Sequence, residues 1–232
     1  MNKYEITKRI ENFAPLETAE DWDASGWGVN CPPDEISKIM ICLTVTDDVV
    51  NQARQMNCDM IVSHHPLFYV PINWADINIY SAHTNLDKAN GGTTDTIIKV
   101  LELDKYKIPV EHDFLRFVEF KNGISVEEFS KKISKIFPSA RIVNNRHIFS
   151  LNKIAFCAGS GSEFISEAQI LGADCLVTGD LKFHTALDSE IVLYDIGHFE
   201  SEILILPALK QLIGNNVEII FAKEQSPFNP VC

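Results

Sequence analysis

Three observations in the sequence predict an α/β protein built from two similar α/β domains, each a three-layer α/β/α unit. Short apolar runs that read as strands alternate with amphipathic helical stretches, the pattern of βαβ units around a largely parallel sheet. A weak internal pseudo-repeat recurs at a shift of 115 positions, as from Cys42 to Cys157. Each half also opens with an amphipathic helix that stops at a proline. Ile6, Ile10 and Phe13 precede Pro15, and Phe129, Ile133 and Ile136 precede Pro138.

In the first half, Ile41-Cys42-Leu43-Thr44 begins a strand, and Val49, Val50 and Ala53 mark the helix after it. Cys58 to Val62 is a second strand that runs into the polar end Ser63-His64-His65. A short apolar run, Ile77 to Tyr80, leads to Ala82-His83-Thr84-Asn85-Leu86-Asp87, and a helix is expected from about Thr94 to Leu101. In the second half, Phe156-Cys157-Ala158-Gly159 is the strand, Phe164, Ile165 and Ala168 mark the helix, and Ala173 to Asp180 is the next strand with its polar end. Ile191 to Tyr194 leads to His198 and a helical stretch from Phe199 to Leu212. The same shift carries Asp59 onto Asp174, His83 onto His198 and Asp87 onto Glu202 without a gap. Lys121-Asn122-Gly123 gives a turn signal, so the halves are read as residues 1–118 and 119–232.

Composition narrows the function classes. The chain has 232 residues, 46% of them apolar, enough for a sizeable core. No stretch reaches the roughly 18 uninterrupted apolar residues of a membrane span, and the charged N-terminus is not that of an export signal. A cytoplasmic protein is expected. The net charge of −12 argues against nucleic acid as a partner, because phosphates call for a basic footprint. Six cysteines without a CxxC pair read as small buried hydrophobes.

The chemistry collects at strand ends, where ligands gather in such sheets. Pro66 ends the strand behind His64 and His65, so both imidazoles can turn into one cavity; a surface or core-edge pair is the alternative. Asp87 is a candidate ligand or a helix cap, although Gly91-Gly92 make it a poor cap. His198 and Glu202 share a helical face at four-residue spacing, where they could grip one ion or form an exposed polar pair. Three imidazoles and two carboxylates suit two divalent metal ions, Zn, Fe or Mn, with open positions for water. Such a metal site is expected at the junction of the halves. Gly159-Ser160-Gly161-Ser162 between strand and helix is either a backbone cradle for a phosphate or carboxylate, or an ordinary tight turn. His184 is a candidate proton donor or second-tier partner, with capping or packing as the alternative.

The ordered segments Glu20-Asp21-Trp22-Asp23, Ser63-His64-His65-Pro66-Leu67, Ala82 to Asp87, Gly159 to Ser162, Thr178-Gly179-Asp180 with His184, and Gly197 to Glu202 span nearly the whole chain. Together they resemble the YbgI-type, Nif3-like dinuclear metal-centre family, whose bacterial members carry the name GTP cyclohydrolase 1 type 2 homolog. The resemblance implies paired α/β domains, two divalent metals and a homo-oligomer, commonly a toroidal homohexamer. Carried over residue by residue, the metal ligands fall on His64, His65, Asp87, His198 and Glu202, with His83 beside the site. Two departures stand out. The family's Trp-Asp-Asn-Val-Gly is Trp22-Asp23-Ala24-Ser25-Gly26 here, and the segment between His65 and His83 is short.

The function expected is that of a metal-dependent hydrolase, cyclohydrolase-like or phosphoesterase-like, acting on a small nucleotide-like or phosphate-bearing substrate. Glu202, His184 and His83 are its catalytic candidates. The alternative is a non-enzymatic metal-binding or regulatory oligomer.

Overall fold

The structure, a computed structural model, describes residues 1–228. The chain begins with α1 (Lys3–Phe13), β1 (Gly26–Val29), β2 (Lys38–Cys42), α2 (Asp47–Gln55), β3 (Met60–Ser63), β4 (Asn78–Ser81) and α3 (Thr84–Lys88). It continues through α4 (Thr93–Val100), β5 (Lys107–Ile108), β6 (Arg116–Ser125), α5 (Val126–Ile136), β7 (Arg141–Val143) and β8 (Ser150–Phe156). Then come α6 (Ile165–Ile170), β9 (Cys175–Thr178), α7 (Phe183–Leu187), β10 (Val192–Asp195), α8 (His198–Glu202), α9 (Leu206–Ile213) and β11 (Glu218–Phe221).

Two sheets result, one ordered β1-β4-β3-β2-β11 and the other β5-β6-β8-β9-β10-β7. Each has three parallel strands at its heart, β2-β3-β4 and β8-β9-β10, and an antiparallel strand beyond, β1 beside β4 and β7 beside β10. Every residue of β3, β4, β9 and β10 is buried, so both faces of the parallel strands are covered, as continuous apolar runs require. The sequence expectation of two layered α/β units holds.

The repeat is physical as well as textual. Asp59 Oδ2 accepts the backbone N–H groups of Ser37 (2.7 Å) and Lys38 (3.1 Å) at the start of β2. Its counterpart Asp174 accepts those of Asn152 (2.7 Å) and Lys153 (3.1 Å) on β8 with the same oxygen. The turn after α2 passes through Asn57 at φ 55° and the one after α6 through Gly172 at φ 82°, again 115 positions apart. Asparagine and glycine tolerate this left-handed conformation better than other residues.

The compact units do not divide at 118/119. One comprises Met1–Gly92 with Ile205–Gln225, and the other Thr93–Leu204 with the segment from Ser226. The reason is a crossing back: β11 pairs in parallel with β2, and Arg9 Nη1 of α1 donates to the Ile213 carbonyl at the end of α9 (2.6 Å). The single helix expected over 199–212 is also broken. α8 ends at Glu202, a 3-10 turn covers Ile203–Ile205, and Pro207 sits in the first turn of α9, where a missing N–H costs least. Among the described residues no helix is long and apolar enough to cross a membrane. Cys42, Cys58, Cys157 and Cys175 are buried and Cys31 is half-buried, as small core residues.

The paired aspartates give a first test. Asp59→Ala and Asp174→Ala each remove two charge-assisted bonds to backbone, and each is expected to lower the unfolding free energy by about 1–2 kcal/mol in urea titrations.

Candidate metal-binding residues

In the first unit the backbone past β3 stays tied to β2. The N–H of His64 donates to the Cys42 carbonyl (3.2 Å) and that of His65 to the Leu43 carbonyl (2.8 Å). Ser63 Oγ, 2.7 Å from Ser81 Oγ, donates to the His65 carbonyl (2.9 Å) and holds the turn before Pro66. His64 is fully buried, and its Nδ1 lies 2.9 Å from the Ala82 carbonyl. A carbonyl can only accept, so Nδ1 carries the proton and Nε2 keeps the lone pair. His64 Nε2 lies 3.6 Å from Asp87 Oδ1.

His83 stands at the N-cap of α3 with its Nδ1 3.0 Å from Asp23 Oδ1. The Asp23 side chain is wholly buried and also accepts the Thr84 N–H (3.0 Å), the Thr84 hydroxyl and the Ser25 hydroxyl (2.7 Å). Burial alone would raise its pKa, but these donors, His83 foremost, hold the carboxyl far below the usual carboxylate range. Ser25, at the sequence departure, accepts the His83 N–H (3.1 Å) and so belongs to this network. His65 presents its Nδ1 2.7 Å from Thr44 Oγ1. The ligand atoms of His64, His65 and His83 all lie within 4.8 Å of one another.

In the second unit, His198 begins α8 after Gly197, whose φ of 87° and clearance from Glu200 only glycine meets. His198 Nδ1 lies 2.7 Å from Asp180 Oδ2 and Nε2 lies 3.0 Å from Glu202 Oε2. The Glu202 carboxylate, outweighing burial and helped by Asp180, pushes His198 up to about 9. Glu202 is 4% exposed.

The structure gives the glycine loop a definite task. A Cβ on Gly159, at φ 62°, would lie 2.1 Å from Glu202 Oε1, so the glycine makes the cradle that the carboxylate fills. The Gly159 N–H donates to Ser201 Oγ (2.9 Å) and the Gly161 N–H to Thr178 Oγ1 (2.8 Å). Two of the N–H groups expected to meet an anion are thus engaged within the protein. Ser160 is exposed and Ser162 half-buried, and the α-helix that follows has only six residues. These glycines are explained by packing on Glu202 and Thr178. His184 lies exposed on the five-residue α7, against the Phe183 ring at 5.3 Å, and no contact places it with His198 or Glu202.

Sequence reasoning gave no role to Asp23, Asp180 or Thr44. Each anchors an imidazole through Nδ1, and for Asp23 and Asp180 the available signal was an acidic residue within a quoted motif.

The donor set of imidazole Nε2 atoms and carboxylates fits a borderline divalent cation. Anchoring of Nδ1 on carbonyl or carboxylate is the support that metal-ligating histidines ordinarily have. Fold and residues thus define a two-sheet α/β protein bearing clusters of metal-type donors.

A family model described as Duf34/NIF3 (NGG1p interacting factor 3) matches residues 1–227. The chain belongs to this Duf34/NIF3 family. It is 33% identical to a Clostridium perfringens protein named GTP cyclohydrolase 1 type 2 homolog, over 98% of this chain and 99% of the relative. Among solved structures it is similar to reduced HcgD from Methanocaldococcus jannaschii, at 29% identity and a TM-score of 0.82, covering 95% of this chain and 97% of that one. A hypothetical protein of Staphylococcus aureus is 25% identical with a TM-score of 0.86, over 100% and 99% of the two chains.

Two variants probe this geometry. Gly159→Ala should cost at least about 1–2 kcal/mol of stability from the left-handed backbone and displace Glu202, whereas exposed Ser160→Ala should change it by under about 0.5 kcal/mol. Asp23 has a folded pKa below its unfolded value of about 3.9, so its contribution is present above about pH 4 and lost as pH falls. The stability difference between the native chain and Asp23→Asn, measured by denaturant titration, should therefore shrink steadily below pH 4.

Proposed function

We propose that the chain binds two divalent metal ions, Zn, Fe or Mn, through His64, His65, Asp87, His198 and Glu202, and hydrolyses a small nucleotide-like or phosphate-bearing substrate. The observation that carries this reading is the commitment of Nδ1 in His64, His65 and His198 to a scaffold partner, which leaves Nε2 as the ligating atom. The name borne by curated relatives, GTP cyclohydrolase 1 type 2 homolog, supports a hydrolytic reaction on a heterocyclic nucleotide.

Bound ions of this kind supply a water of lowered pKa and polarise the bond under attack. The chain's own residues supply the rest. Glu202 is held in the Gly159 cradle, so its carboxylate is presented in one place. His83, with Nδ1 fixed on Asp23, offers Nε2 to take up or deliver a proton. This role goes to His83 in preference to exposed His184. The reading extends to a homo-oligomer in the cytoplasm.

Elemental analysis of purified protein should find two divalent ions per chain, reduced in His64→Ala with His198→Ala. An ion-free native chain would overturn the proposal. The loaded protein is then assayed against nucleotides, phosphoesters and cyclic amides, with Glu202→Ala as the control expected to lose turnover by 100-fold or more, on the order of the loss of a group acting in the transition state. Metal binding without turnover on any substrate would favour the non-enzymatic alternative.

A further inference from the structure

His64, His65, His83 and His198 differ in what grips Nδ1. His64 rests on a carbonyl, and His83 and His198 on carboxylates, partners that can only accept and therefore call for a proton on Nδ1. His65 alone rests on a hydroxyl, Thr44 Oγ1 at 2.7 Å. A hydroxyl can donate or accept, so the chemistry of the partner leaves the tautomer open and the placement of Thr44 has to decide it.

That placement is built from the far end of the chain. The Glu224 carboxylate spans two backbone donors at the end of β2, Leu43 N–H at 2.7 Å and Thr44 N–H at 3.0 Å. Burial raises the pKa of this carboxyl, against the lowering by its two backbone donors, so a partly buried acid is devoted to the contact. The segment carrying it is itself clamped. Ala222 N–H donates to the Ile41 carbonyl (2.9 Å), while Gln52 of α2 accepts from the Lys223 N–H (2.9 Å) and donates to the Lys223 carbonyl (3.1 Å). The repeat shows that the arrangement is particular to one copy. The counterpart of Thr44 is Gly159 and that of His65 is Asp180, so the second copy has neither hydroxyl nor imidazole at these places.

We propose that Thr44, held by Glu224, is a positioning residue that sets the tautomer and orientation of His65 by accepting from its Nδ1–H, so that Nε2 is presented with its lone pair. The inference rests on the metal-binding reading of His65. It also stands in the metal-free chain, because it concerns the imidazole itself.

The test uses the full-length protein with Thr44→Val, which replaces the hydroxyl by a methyl of similar shape, and Thr44→Ser, which restores it. Nitrogen-15 correlation spectra of the metal-free protein at neutral pH report the tautomer of His65. The native chain and Thr44→Ser should show the Nδ1–H form, and Thr44→Val a mixed tautomer with the other histidines unmoved. In competition with a chromophoric chelator for Zn²⁺, Thr44→Val should weaken uptake of one ion about 10–100-fold, the effect of losing such a partner. Thr44→Ser should stay within about twofold of the native chain, and Glu224→Gln should weaken uptake in the same direction with thermal melting of the metal-free fold as a check. An unchanged His65 spectrum in Thr44→Val, or a loss that Thr44→Ser does not restore, overturns the proposal. If the native chain takes up no Zn²⁺ at all, the metal reading fails, and the tautomer spectra alone decide the positioning role.

Discussion

An imidazole has two ring nitrogens, and a protein that wants one of them to act must commit the other to the scaffold. For His64, His65, His83 and His198 the commitment is made through Nδ1, to Ala82, Thr44, Asp23 and Asp180 respectively. Those partners lie just past strand ends or in segments packed beside them, which is why the sheets have to end where they do. Ser63 and Thr178 close their strands with side chains that are themselves hydrogen-bonded, and His64 and Asp180 follow one and two positions later. Remove the parallel strands and the anchors have nothing to hang on. The fold is in this sense a device for placing Nδ1 partners.

The pseudo-repeat explains both the likeness of the two clusters and their difference. Duplicated positions keep the mechanical parts, such as Asp59 and Asp174 bracing the strand starts and Asn57 and Gly172 turning the helix ends. The chemical positions have diverged. His65 faces a polar partner in one copy, and in the other the same place holds Asp180, which grips His198 instead of standing beside it. Thr44 fills a spot that must be empty in the second copy, because Glu202, one methylene longer than its counterpart Asp87, occupies the space over Gly159. One substitution thus supplies an anchor, and the matching one supplies room.

Much of this was legible in the sequence because it is local. Apolar runs gave the parallel strands, the 115-residue shift gave the repeat, and polar residues after each run marked the ends where His64, His65, His83 and His198 stand. What was not legible depends on contacts between distant residues. Asp23 reaches His83 across sixty positions, and nothing in the spacing of either says so. The same limit hid the return of β11 to β2, and with it the true division of the chain. The Gly159 loop illustrates a third limit. Its glycines signal close approach, but sequence does not say whether a ligand or a carboxylate of the same chain is approached.

The return of the C-terminal segment can be weighed by what it buries. β11 is an edge strand with no fully buried residue, pairing with β2 alone, so it adds little to a core that β2, β3 and β4 already complete. A strand of that kind is a weak contributor to the hydrophobic driving force, which follows the apolar area removed from water. Its extension is more telling, since Ala222, Lys223 and Glu224 are each tied down and the last of them closes on the two amides beside Thr44. The balance of these contacts makes the segment a brace for the end of β2 more than a wall of the core. The loop that steadies His65 is therefore completed by a residue 180 positions beyond Thr44.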